Sequence, residues 1–168
     1  MLTVLFFEYK KWYNENGDRV KKIIILLVAL FLVGCSKEEM FICNIEVENN
    51  LQNYTMKGIY NIYYQDNYVT RIEKREQYIS PDEEAIDYLN ESKKLEYYNL
   101  NDLYGGYTYT INHNKTSIGI ISNIDLSLVD LKKMEQDKKI DKDYVVGNKL
   151  TTSGIVRVYE SRGAICDI

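Results

Sequence analysis

The chain has 168 residues, with 21 Lys or Arg, 25 Asp or Glu and a single His, giving a formal charge of −4. Residues 35–168 carry 16 basic against 22 acidic side chains, a balance that leaves no basic surface and excludes nucleic acid as an expected partner. A length of this order suits one domain around one core.

Residues 1–18 mix Leu2, Phe6 and Phe7 with Glu8, Glu15 and Asp18, acids that sit badly ahead of an export signal. Translation from Val20 is therefore expected, giving Val20-Lys21-Lys22-Ile23; the rival is a genuine N-terminal extension. Arg19, Lys21 and Lys22 form a basic step before residues 23–33, which are all apolar. A basic step, an apolar core of about ten residues and small residues at the exit constitute a secretory signal. A spanning helix needs about 20 apolar residues, whereas this run stops at Gly34 and is followed by Ser36-Lys37-Glu38-Glu39. An uncleaved anchor or a buried helix is the alternative, but a core helix should carry a polar face and residues 23–33 have none.

Leu32-Val33-Gly34-Cys35 resembles the lipobox of bacterial lipoproteins. The resemblance implies a diacylglyceryl group on the Cys35 thiol, cleavage before Cys35 and acylation of the new amine with a chain such as palmitate. Two or more acyl chains anchor stably, at about 0.8 kcal/mol per buried methylene. Residues 1–34 are thus expected to be a cleaved leader, 35–40 a polar linker and 41–168 a single domain. That domain would lie lipid-anchored on the extracytoplasmic side of the cell membrane. No cofactor is expected beyond the covalent lipid.

From Phe41 to Glu48 the chain alternates, placing Cys43, Ile45 and Val47 opposite Asn44, Glu46 and Glu48, as in a half-buried strand. Asn49-Asn50 reads as a turn. Residues 54–64 are β-rich and residues 68–78 read as a partner strand, so that residues 59–78 form a hairpin around the turn cluster Gln65-Asp66-Asn67. Ser80-Pro81-Asp82-Glu83 reads as a helix start, with Ser80 as cap and Glu83 closing a capping box, and the helix is expected to end near Tyr97. The cluster Asp82, Glu83, Glu84 and Asp87 is explained by that capping and by the helix dipole more simply than by a cation site. A loop over residues 99–106 precedes a second hairpin, residues 107–111 and 116–125, around Asn112-His113-Asn114. Residues 126–139 read as a charged helix with Leu128, Leu131 and Met134 at helical spacing. Residues 138–143 form an exposed turn, residues 151–162 a last helix before Gly163, and residues 164–168 a closing strand. The order predicts an α+β fold. Its antiparallel sheet, two hairpins plus the terminal strands, is covered on one face by two or three helices.

With Cys35 committed to lipid, Cys43 and Cys166 remain, one in the first strand and one in the last. An exported protein with two cysteines so placed is a disulfide candidate, which requires the terminal strands to be neighbours; two buried free thiols are the alternative. The lipobox, the charged linker, Phe41-Ile42-Cys43, a hairpin with Asp66 at its turn, a helix, a further hairpin and Gly163-Ala164-Ile165-Cys166 together resemble small bacterial lipoproteins of the YehR-like group. The resemblance implies an α+β lipoprotein domain and carries over no catalytic residue.

No catalytic residue and no metal site is expected. His113 is alone, and Cys43 and Cys166 lack close ligand spacing. No Gly-x-Ser-x-Gly elbow occurs, so a Ser-His-Asp triad could draw only on His113. Glu73 and Glu76 are the carboxylate pair open to acid–base chemistry. Tyrosine is the one excess, at 16 residues. Tyr60, Tyr63, Tyr64 and Tyr68 cluster on the first hairpin as a candidate recognition surface, the plainer alternative being rings in the core with hydroxyls at its rim. The expected function is a non-enzymatic binding or accessory module meeting an unidentified surface or envelope partner; the alternative is a small envelope hydrolase or transferase using carboxylates.

Overall fold

The computed structural model describes residues Lys37–Ile168; the leader, the lipobox and the choice of start at Val20 lie outside them. The described residues form an α+β domain. Its main sheet comprises β1 (Glu39–Asn49), β2 (Tyr54–Gln65), β3 (Tyr68–Ile79), β4 (Tyr107–Asn114), β5 (Ser117–Asp125) and β8 (Ile165–Asp167), in the order β4-β5-β3-β2-β1-β8 with every pairing antiparallel. A two-stranded ribbon, β6 (Val145–Val146) and β7 (Lys149–Leu150), stands apart. The helices are α1 (Glu83–Tyr104), α2 (Leu131–Gln136) and α3 (Thr152–Glu160), with a single 3₁₀ turn at Lys142–Tyr144.

Period-two alternation sorts the strand residues into two faces. Cys43, Ile62, Ile72, Ile118, Ile120 and Ile124 are buried on the helix-covered face, while Ile59, Ile121 and Ile165 are exposed. The sheet is therefore covered on one face, as expected. Its interior divides in two. Tyr78, Ile118 and Ile120 pack with Ile86, Leu89 and Tyr97 of α1. Cys43, Ile62 and Ile72 pack with Leu131 of α2 and Ile155, Val156 and Tyr159 of α3. The first hairpin closes through Asp66-Asn67, both at positive φ, the two-residue turn whose twist matches that of the strands.

Gly58 permits the central packing. A Cβ there would lie 2.8 Å from the Ile45 Cγ2 and 2.8 Å from the Tyr60 hydroxyl, so the Tyr60 ring can lie along its own strand only over a glycine.

Several boundaries differ from the sequence reading. The proposed linker over residues 35–40 already includes the first two residues of β1, Glu39 and Met40. Val47 lies on the core face yet is 39 % exposed, because β8 pairs only with Ile42, Cys43 and Asn44 and β1 runs on beyond it. The cap of α1 is Asp82, whose carboxylate accepts from the Glu84 and Ala85 amides at 3.0 and 3.3 Å. Ser80 is buried instead. Its amide donates to the Thr116 carbonyl and its hydroxyl accepts from the Asp82 amide, so no Ser80–Glu83 capping box forms.

Helix α1 passes Tyr97 and ends at Tyr104, since Tyr97 and Tyr104, two turns apart, both face inward. The expected helix over residues 126–139 shrinks to six residues. Asp125 accepts from the Ser127 amide and hydroxyl to hold a turn, and Asp130 starts the helix by accepting from the Lys133 amide. Leu128 is consequently exposed while Val129 and Leu131 are buried. His113 lies in β4, exposed, and the hairpin turn is Lys115-Thr116.

Candidate functional site

The four candidate tyrosines do not share one surface. Tyr60 is 4 % exposed and stacks on Tyr159 with ring centroids 4.6 Å apart. Its hydroxyl donates to the Glu76 carboxylate at 3.1 Å. Tyr60 is therefore a core residue, and a recognition surface that includes it is corrected: alternation turns it under the helices. Tyr64, on the same face, packs against Phe41 and donates to the Glu39 carboxylate at 2.6 Å. Tyr63 lies on the open face, under the Arg71 guanidinium at 3.4 Å, and donates to Glu73 at 3.2 Å. Tyr68 is half-buried at the hairpin end, with the Lys149 ammonium 5.1 Å from its ring centre.

Glu73 and Glu76 point to opposite faces of β3, so they do not converge as an acid–base pair. Burial would raise the Glu73 carboxyl, but hydrogen bonds from Arg71, Asn61 and Tyr63 and the Arg71 charge hold it below the usual range. Glu76 lies under the helices and collects the hydroxyls of Tyr60, Tyr78 and Tyr97 at 3.1–3.3 Å. Ser122, 2 % exposed, donates to the Tyr97 oxygen at 3.3 Å. Burial pushes the Tyr97 hydroxyl up to about 12 and raises those of Tyr60, Tyr78 and Tyr159 further. This network is a satisfied seam between the two halves of the core. No group of three or more His, Cys, Asp or Glu suited to a metal ion occurs among the described residues.

A cleft of about 640 Å³ lies at the β2–β3 turn, within the range of small-molecule sites. Val69, Leu131 and Leu150 supply apolar floor, and Asp66, Tyr68, Arg71, Asp125 and Lys149 supply polar wall. Glu38, three residues after Cys35, joins that wall: it accepts from the Thr70 hydroxyl at 2.6 Å and pairs with Arg71 at 3.5 Å. Only Tyr68 of the four tyrosines lines it. Sequence reasoning missed the cleft because β6 and β7, which bring Asn148, Lys149 and Leu150 to it, were not foreseen. The usable signal was Gly147-Asn148, both at positive φ and a known hairpin dipeptide.

Cys43 and Cys166 are bonded. They are register partners across β1 and β8, with Cα atoms 4.0 Å apart, as the terminal-strand expectation required.

Comparison with known proteins finds no matching family model and no matching curated protein. Two solved structures share the fold. The NMR structure of the Escherichia coli YehR protein aligns with TM-score 0.54 at 15 % identity, covering 79 % of this chain and 93 % of that one. An NMR structure of a protein from Streptococcus pneumoniae TIGR4 aligns with TM-score 0.50 at 13 % identity, covering 80 % and 88 %. The chain has a YehR-like fold.

Proposed function

We propose that this protein is a membrane-anchored lipoprotein that acts as a non-enzymatic binding or accessory module on the extracytoplasmic face. The anchor is read from Leu32-Val33-Gly34-Cys35 and the basic and apolar segments before it. Among the described residues no helix is long and apolar enough to cross a membrane, so the lipid on Cys35 would be this domain's link to the bilayer.

The observation that carries the binding role is the cleft at the β2–β3 turn. It combines an apolar floor with charges of both signs, and its wall begins three residues after the anchoring cysteine. A site so close to the tether suits a partner held at or near the membrane surface. Arg71 is already engaged by Glu38 and Glu73, so the cleft offers positioned polar groups rather than a convergent acid and base.

Two measurements test this reading. Cells fed an alkyne fatty acid should label the wild type in the membrane fraction, while Cys35→Ala should be unlabelled. A photo-reactive phenylalanine at Tyr68 should crosslink in intact cells to a discrete envelope component, and one at Leu51, fully exposed away from the cleft, should not. No adduct from Tyr68, or the same adducts from both positions, would contradict the binding role.

A further inference from the structure

Strand β4 is an edge of the main sheet: it ends the strand order and pairs only with β5. Such an edge presents a row of unpaired amides and carbonyls, which proteins ordinarily blunt with lysine, proline, a bulge or brevity. β4 has none of these. It is eight residues long, contains neither a Lys, Arg, Asp or Glu nor a proline, and keeps an unbroken register with β5. The opposite edge differs. β8 is three residues long, and where β1 runs on past it towards Asn49 the strand carries Glu46 and Glu48.

Which backbone groups of β4 are open follows from one hydrogen bond. The Asp125 amide donates to the Gly106 carbonyl at 2.9 Å, and hydrogen-bonded and non-hydrogen-bonded pairs alternate along an antiparallel ladder. Thr108, Thr110 and Asn112 therefore turn their amides and carbonyls towards β5, while Tyr107, Tyr109, Ile111 and His113 turn theirs outward. The Asn101 side chain of α1 takes the Tyr107 amide at 3.2 Å. No hydrogen bond reaches the outward groups of Tyr109, Ile111 and His113 among the described residues. Each of these residues offers a donor beside an acceptor to whatever lies alongside.

Helix α1 borders this edge. Asn101 holds Tyr107, and His113, after Lys94, helps to keep the Glu91 carboxyl below its usual range. Residues seven and three apart share one side of a helix, so Tyr98 lies on the same side of α1 as Glu91 and Asn101, and its ring is exposed, as is that of Tyr109. Glu91 and Lys94 are paired with each other.

An occupant of the edge has to be extended and has to find its partner without charge. A second copy of β4 meets both conditions. Turned antiparallel about Ile111, it sets Tyr109 opposite the partner's His113 and Ile111 opposite the partner's Ile111. Every open donor and acceptor is then used, and Tyr107, whose amide is already held, is left out. Thr110 falls opposite the partner's Asn112 on the open face of the sheet. Because β4 is uncharged throughout, no pair across the two-fold axis repels.

We propose that β4 pairs with β4 of a second copy of this chain, antiparallel about Ile111, joining the two main sheets edge to edge into one continuous sheet. The pairing goes beyond the anchored binding role and stands whether or not Cys35 carries lipid, so its failure and failure of the anchor are separate results.

The test is sedimentation velocity of the full chain in detergent over a concentration series. A species of twice the monomer mass should grow with concentration. His113→Pro removes an outward amide that β5 does not use, a position where an edge strand tolerates proline, and should raise the dissociation constant at least about tenfold. Disulfide trapping decides the matter even if that variant fails to fold. Hydrogen-bonded pairs hold their Cα atoms about 5.5 Å apart, within disulfide reach, so Ile111→Cys should form a covalent dimer on mild oxidation. Thr108→Cys, about 20 Å from its own copy along the strands, should form no more than the wild type. A wild type that stays monomeric at every concentration overturns the proposal. So does a dimer that His113→Pro leaves unchanged, equal trapping of the two Cys variants, or trapping of Ile111→Cys on a different protein in place of its own copy.

Discussion

Cys166 stands directly opposite Cys43 across β8 and β1, and the bond between them joins residues 123 positions apart in the chain. β8 is only three residues long and pairs with β1 through three register positions, too few to hold an edge strand firmly. The bond supplies what the hydrogen bonds lack. A loop of that length, closed in the unfolded chain, corresponds to roughly 4–5 kcal/mol in the chain-entropy model. Urea unfolding with and without reductant should show a loss of that order. A loss below about 1 kcal/mol would mean that β8 is held mainly by its packing.

Gly58→Ala should cost about 1–3 kcal/mol, the range for forcing extra volume into a packed core. The added Cβ meets both the Ile45 side chain and the Tyr60 hydroxyl, so Tyr60 must leave either its stack on Tyr159 or its bond to Glu76. Denaturant titration gives the magnitude, and near-ultraviolet circular dichroism should register the displaced ring.

The buried tyrosines predict alkaline fragility. Their folded-state values are raised above the ordinary 10.0 by burial, and Tyr97 reaches about 12. Above pH 10 the unfolded chain releases these protons while the folded chain retains them. Stability is therefore full below pH 10 and falls as pH rises from 10 towards 12 and beyond. Tyrosinate absorbance should rise in two stages, exposed rings first and the buried set together with loss of structure. A single smooth titration of all tyrosines in a folded protein would contradict this.

Asp82→Ala should destabilise by about 1 kcal/mol through loss of the α1 cap, and Asp82→Asn by less. Ser80→Ala should also destabilise, but by a different route, removing the buried hydroxyl that accepts from the Asp82 amide. Thermal melts of the three variants rank these effects. Equal melting points for Asp82→Ala and wild type would return the cap to Ser80.

The sheet was legible in the sequence because its signals are local and period-two: Cys43 and Ile45 alternate with Asn44 and Glu46, and Asp66-Asn67 punctuates the first hairpin. Two helix limits were not. The asparagines at 99 and 101 read as a loop although Tyr97 and Tyr104 keep one buried stripe. Leu128, Leu131 and Met134 keep helical spacing although Asp125 and Asp130 divide the segment by accepting backbone amides. The tyrosine surface failed for a different reason. Composition records that tyrosines are abundant, but which face each occupies depends on strand register and on the irregularity between Tyr63 and Tyr64. The cleft at the β2–β3 turn was hidden because it gathers Glu38, Tyr68, Asp125 and Lys149 from four separate segments.

The most direct test of the central claim is the intact mass of protein extracted from membranes, taken before and after reduction with thiol labelling. The account predicts a chain beginning at Cys35 and carrying diacylglyceryl and acyl mass, with two thiols that label only after reduction. A full-length mass without lipid would contradict it, making residues 23–35 an uncleaved anchor and giving residues 1–18 a place in the finished protein.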